Sequence, residues 1–192
     1  MRSQPTWTSQ PSSSSLVKFN NRPNRCLNIQ GEELWISRSV TVLPVILFVQ
    51  ETGIYVPLNK RGTALPDEVG KWGLPGGYLD YDETAGEAVI REVWEELGLN
   101  ILALKERHRL EGCLEQPTYV FSEPRRRQNV TLRFSLLFFL KDNLPDLSPQ
   151  VGPDEVEDAR WFALEDALSS ELAFKHHEVI QTCLETDFKR HL

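Results

Sequence analysis

Cysteine is scarce, and none of it is placed for metal or for paired bridges. The 192 residues hold three, Cys26, Cys113 and Cys183, an odd number with no ligand spacing between them. That excludes a disulfide scaffold and a zinc ribbon and points to a reducing compartment, here taken as the cytoplasm. An apolar run of membrane-spanning length is missing too, and the N-terminus lacks the apolar centre of a secretory signal. Acid is absent from residues 1–31, where Arg2, Lys18, Arg22 and Arg25 give +4. The total is −7, so the remainder carries −11. A body that acidic is a poor partner for a nucleic-acid backbone, and it needs divalent cations or local arginines to hold a phosphate ester.

Hydrophobic residues make up 40% of the chain, enough for one core. Residues 1–25 are rich in Ser, Pro, Gln and Asn and are expected to form a flexible polar leader. Its Ser and Arg content also resembles an organelle transit peptide. The rest, 26–192, reads as a single domain with its core over about 38–172 and a last helix over 175–188. No internal repeat, second domain or DNA-binding module is evident.

Around Gly31, Leu27 to Ile36 fits a short hairpin on the domain edge. Val40 to Gln50 reads as a strand covered on both faces, with Pro44 marking a bulge or an edge position. After a turn at Gly53, Ile54 to Asn59 alternates as the returning strand. Leu99 to Leu110 and Cys113 to Phe121 read as further strands, and Thr131 to Leu140 as the second core wall. Trp161 and Phe162 are core positions. Helices are expected over Glu165 to Leu172 and Lys175 to Phe188, with His176 and His177 exposed.

The stretch with chemistry in it is GGYLDYDETAGEAVIREVWEELGL, from Gly76 to Leu99. Thr84 and Glu87 form a capping-box pair that can start a helix, and Gly98 can end it in the left-handed conformation. Ala85, Val89, Val93 and Leu97 recur every fourth residue and make an apolar stripe. Glu92, Glu95 and Glu96, at i, i+3 and i+4, crowd an adjacent face. Like charges so spaced cost a helix about 0.2–0.5 kcal/mol per pair, a cost that a bound cation removes. Clustered carboxylate oxygens suit Mg²⁺ or Mn²⁺.

From Gly77 there are five residues to Glu83 and seven more to Arg91-Glu92. Val93, Glu95, Glu96, Gly98 and Leu99 then follow at fixed places. This stretch resembles the signature box of the Nudix hydrolase (MutT-like) family at every defining position. Asp82, where many members have glycine, lies outside the strict pattern. The resemblance implies an α/β fold of the α/β/α sandwich type with a mixed central sheet. It also implies Mg²⁺- or Mn²⁺-dependent hydrolysis of a nucleoside diphosphate linked to another group. By the same resemblance Glu92, Glu95 and Glu96 are metal ligands, and Arg91 holds the glutamates through a salt bridge with Glu83. Glu155, some six residues before Trp161, matches an acidic position that reaches the metal cluster or acts as base, with Glu157 behind it.

For substrate, the Gly76 and Gly77 backbone leaves room for the diphosphate. Arg61, Arg125 and Arg126 are candidate phosphate contacts, as is Arg127 beside them, and their other reading is solvated loop charge. Pro117, about eighteen residues past the box, points toward ADP-ribose or another nucleotide sugar. Tyr119 keeps dinucleoside polyphosphates open, NTPs are a further alternative, and NADH cleavage is less favoured. Rival readings are a nucleotide-sugar-binding sensor and an isoprenoid-diphosphate isomerase, for which Cys113 has no activating neighbour. A homodimer is compatible with all of these readings.

Overall fold

In the computed structural model of the chain, residues 25–123 and 129–192 are described. The leader expected over 1–25 falls almost wholly outside them, as do Arg125, Arg126 and Arg127. The chain divides after Ser37 into two compact units.

The first unit's described part is a hairpin, β1 (Arg25–Ile29) and β2 (Glu32–Ile36), in antiparallel register Leu27↔Leu34. Its two-residue turn has φ of 55° at Gln30 and 92° at Gly31, the mirror-image turn that matches strand twist.

The second unit is a mixed sheet between two layers of helix. Its strands are β3 (Val40–Gln50), β4 (Gly53–Arg61), β5 (Trp72–Gly73), β6 (Arg109–Glu111), β7 (Tyr119–Ser122), β8 (Val130–Phe139) and β9 (Val156–Ala163). β3 and β8 run parallel in unbroken register from Val40↔Val130 to Val49↔Phe139. β4 lies antiparallel to β3, β5 and β9, while β6 and β7 lie antiparallel to β8. Alternation along β3 assigns the two faces. Val42, Ile46 and Phe48 join Phe134, Leu136 and Phe138 under α1 (Ala85–Leu97) and α2 (Ile101–Arg107). Val45 and Leu47 join Val56, Leu58 and Leu137 under α3 (Leu164–Ser169) and α4 (His176–Thr186). Among the described residues no helix is long and apolar enough to cross a membrane.

Four sequence expectations need correction. Pro44 sits in a central strand, neither at an edge nor in a bulge. β3 pairs with β4 only from Phe48 to Gln50, and Val42 donates its N–H away from β8, to Gly77 O at 2.9 Å. The N–H that Pro44 lacks would have pointed into the gap between those two pairings, where no ladder bond is forfeited. Leu99 to Leu110 is mostly helix, because the Asn100 side chain accepts from Ala103 N at 3.0 Å and caps α2. Of the second expected strand, Cys113 to Phe121, only the last three residues are strand, within Tyr119–Ser122. His176 is buried rather than exposed, its Nδ1 accepting the Leu74 N–H at 2.9 Å.

Burial and the nearby charges of Arg61 and His177 push the His176 pKa down to about 4. The unfolded chain then takes up a proton near pH 6.5 that the folded chain refuses until about pH 4. The His176 contribution to stability therefore falls as pH drops through that window, by on the order of 3 kcal/mol at about 1.4 kcal/mol per pKa unit. The raised Glu96 carboxyl acts in the opposite sense over the same range, so the loss is read as a difference: urea denaturation at pH 7 and pH 4.5 should show the wild type losing more stability, relative to a His176→Asn variant, at the lower pH.

Candidate metal centre

The gap between β3 and β4 receives the loop that starts the box. Thr41 bridges to Tyr78, and Leu79 N donates to Val40 O at 3.0 Å, so Gly76 to Leu79 is sewn along β3. α1 follows immediately. Thr84 Oγ1 accepts from Glu87 N, and the Glu87 carboxylate accepts from Thr84 N, closing the capping box. Gly98 ends the helix with φ 71°. Two of the last carbonyls are taken by the loop between β8 and β9, Ser148 N donating to Leu97 O and Gln150 N to Glu95 O. Ala88, Val89, Val93 and Leu97 are wholly buried on the sheet, each worth about 1–3 kcal/mol by its apolar area. The helix is thereby fixed in rotation, and Glu92 and Glu96 face the sheet beside that stripe.

Both are buried, at 7% and 8% exposure. Glu96 Oε2 accepts from Asn59 Nδ2 at 2.6 Å and from Gly76 N at 2.9 Å. Burial, then the charge of Glu92, with that of Glu155 a smaller contributor, pushes the Glu96 carboxyl up to about 8. Burial raises Glu92 too, with Glu95 and Glu155 adding to it against the pull of Arg91. A Cβ on Gly77 would run into the Glu92 carboxylate and oblige that side chain to shift.

Arg91 engages every nitrogen of its guanidinium. Nε and Nη2 fork onto Glu83 at 3.0 and 2.7 Å, and Nη2 also donates to Tyr78 O at 2.9 Å. Nη1 donates to Glu92 Oε1 at 2.8 Å and to Glu95 Oε2 at 3.0 Å. This fork holds the Glu83 carboxyl below the usual carboxylate range.

Among the described residues no three carboxylate, imidazole or thiol side chains form a ready-made metal cage. The donor chemistry nonetheless fits a hard cation. Each of the three glutamates has one oxygen tied and the other, Glu92 Oε2, Glu95 Oε1 and Glu96 Oε1, free of hydrogen bonds among the described residues. Glu83, Glu92 and Glu95 share the single Arg91 guanidinium and Glu96 lies within electrostatic reach of Glu92, an excess of negative charge that favours a further positive partner.

Glu155 stands at the entry to β9, where Gly62 N donates to Glu155 O at 2.8 Å. A Cβ on Gly62 would strike the Asp154 carbonyl, so this close approach needs glycine. Arg61, paired with Val156, lies at the same end of the sheet and within electrostatic reach of Glu96. Glu157 instead pairs with Lys60 at 2.6 Å. Arg125 and Arg126 lie outside the described residues. Asn59 was missed from sequence, though a lone Asn in the apolar strand VPLNKR was a signal. His176 and Phe174 gave none, since their relation to Arg61 and Leu74 exists only once the chain is folded.

Gly76 has φ 149°, and a Cβ there would press on the Val42 carbonyl. Gly76→Ala should cost about 3 kcal/mol in urea denaturation and displace the loop that engages Glu96.

The family model for the NUDIX domain matches residues 38–183, more than half the chain. A MutT-like protein of Streptomyces ambofaciens is 56% identical over 63 residues, 33% of this chain and 36% of its own. The m7GpppN-mRNA hydrolase NUDT17 of Danio rerio is 32% identical over 133 residues, 66% of this chain and 42% of its own. The chain thus spans well under half the length of either relative. Among solved structures, the NUDIX domain of Shewanella oneidensis NrtR, complexed with ADP ribose, has a TM-score of 0.58 at 23% identity, covering 78% of this chain and 88% of that one. At that identity it speaks for the fold, a mixed sheet flanked by helices. With the box geometry and the family match in agreement, the chain belongs to the Nudix family.

Proposed function

We propose that this domain is a divalent-metal-dependent hydrolase that cleaves the pyrophosphate linkage of a nucleoside diphosphate derivative, ADP-ribose or another nucleotide sugar first among them. The observation that carries the reading is the pair of buried, mutually repelling carboxylates, Glu92 and Glu96, beside Glu95, each with an oxygen left open. These three hold the cation in our assignment, with Glu155 at the rim. When bound, Mg²⁺ or Mn²⁺ supplies positive charge to the phosphate oxygens and Lewis acidity toward water.

The chain's own residues do the rest. Arg91 fixes the Glu92 and Glu95 carboxylates, and Asn59 with Gly76 fixes Glu96. Gly76 and Gly77 keep side chains out of the diphosphate's path. Water adds to one phosphorus, the bridging P–O bond breaks, and the proton of that water passes to Glu155 or to one of the box glutamates. Three free cysteines are in keeping with the cytoplasm.

The Danio rerio relative's name favours a second reading, a dinucleoside polyphosphate of the mRNA-cap type. A panel of ADP-ribose, other nucleotide sugars, capped dinucleotides and NTPs, assayed with Mg²⁺ and with a chelator, decides between them. We expect turnover that vanishes on chelation and is greatest for a nucleotide sugar. Binding without turnover of any member would point to a sensor and overturn the reading.

A further inference from the structure

Phe174 occupies an unusual place. It is 51% exposed, and its backbone is left-handed, φ 50° and ψ 23°, as is that of Lys175, φ 59° and ψ 37°. Two consecutive non-glycine residues in this region are strained and persist only where the surroundings impose it. Here Leu172 and Ala173 are buried on one side and His176 on the other, with His176 hydrogen-bonded to Leu74 N. The turn is pinned at both ends, and what it presents to solvent is an aromatic ring.

The Arg61 guanidinium lies over that ring, 4.8 Å from its centroid. Arg61 Nε donates to Asp67 O at 3.0 Å, and its backbone is fixed to Lys71 O and Gly70 N. Glu96, Asp67 and Glu68 all lie within electrostatic reach, yet among the described residues none forms an ion pair with Arg61. Its two terminal nitrogens carry no hydrogen bond among the described residues. A guanidinium tied to a carboxylate is half neutralised and its fork is occupied. One that rests on an aromatic face and a carbonyl keeps its full charge and its outer edge free for an oxyanion.

We infer that Phe174 is a positioning residue that holds Arg61 against the metal centre as a substrate-phosphate contact, an aromatic support taking the place of an acidic one. The inference rests on the hydrolase reading for what the phosphate belongs to, but its test does not need turnover. ADP and adenosine are titrated calorimetrically into the full chain at saturating Mg²⁺. Phe174→Leu and Arg61→Ala should each weaken ADP by about tenfold, within the range of a partly desolvated cation–π contact. The double variant should be no weaker than the worse single one by more than about twofold. Phe174→Trp, which keeps a stacking face, should retain ADP affinity. Adenosine binding should not change. In turnover, Phe174→Leu should raise KM and leave kcat within about twofold.

Wild-type ADP affinity in Phe174→Leu, additive losses in the double variant, or equal weakening of adenosine and ADP would each overturn the inference. The last result would make the ring a base-stacking surface instead. A wild-type chain that binds ADP no better than adenosine overturns it too. If the ADP pattern holds and no nucleoside diphosphate derivative is hydrolysed, the hydrolase reading falls and the phosphate contact stands. Hydrolysis with ADP affinity indifferent to Phe174 is the reverse case.

Discussion

Glu96→Gln should lower kcat/KM by about a thousandfold or more and leave the metal-free chain at least as stable as the wild type. The two halves of this result have one cause. Glutamine keeps an oxygen for the Asn59 and Gly76 donors, so the hydrogen bonds that seat the side chain survive. It removes a carboxyl that burial and the neighbouring Glu92 already press toward the neutral form. Without metal that charge is a liability, since a buried ion lacking a cation is costly. In the proposed cation site it is one of the charges that would hold the metal. A thousandfold loss is about 4 kcal/mol of transition-state stabilisation, the scale expected when a ligand charge is deleted from a metal-dependent site. Steady-state kinetics on the preferred nucleotide and thermal melting in chelator, both at pH 8, test the pair. A variant with most of its activity, or one markedly less stable, would contradict the account.

Arg91→Ala should damage stability and activity together. The side chain joins Glu83, Glu92, Glu95 and Tyr78 O, and no other group among the described residues offers a fork at that point. Its removal strands three carboxylates, one of them buried. Breaking a buried pair costs 3–5 kcal/mol, and the partial exposure of this one scales the loss to about 2–3 kcal/mol. Groups that orient ligands are worth about 10–100-fold in metal affinity or activity, and kcat/KM should fall by that much. Arg91→Lys should recover part of the stability and little of the activity, because an ammonium cannot reach Glu83 bidentately and Glu92 at once. Chemical denaturation and kinetics on the two variants check this. Equal recovery of both quantities by lysine would show that charge alone matters there.

Legibility followed the range of the interactions. Thr84 with Glu87, Gly98, the apolar stripe and the Arg91–Glu83 spacing lie within one helix and its flanks, and the structure realises each of these local features. The long strands were readable for the same reason, as β-branched and apolar runs at Val40–Gln50 and Val130–Phe139. The helix at Ile101–Arg107 was not, because its residues alternate well enough for a strand and the deciding signal was one capping side chain, Asn100. Pro44 misled because its tolerance depends on where β4 peels away from β3, which no local pattern records. Asn59, His176 and Phe174 acquire meaning only from partners 37 to about 113 residues away in sequence, such as Glu96, Leu74 and Arg61. Substrate choice was least legible, since two of the arginines proposed to contact phosphate, Arg125 and Arg126, lie outside the described residues.

The central claim is that the Glu92, Glu95 and Glu96 carboxylates form a divalent-cation site. Its most direct test is calorimetric titration of Mn²⁺ and Mg²⁺ into the full chain at pH 8, beside the Glu92→Gln, Glu96→Gln double variant. The account predicts saturable uptake by the wild type that the double variant loses while remaining folded. A wild type that takes up neither ion, or a double variant that binds as the wild type does, would contradict it.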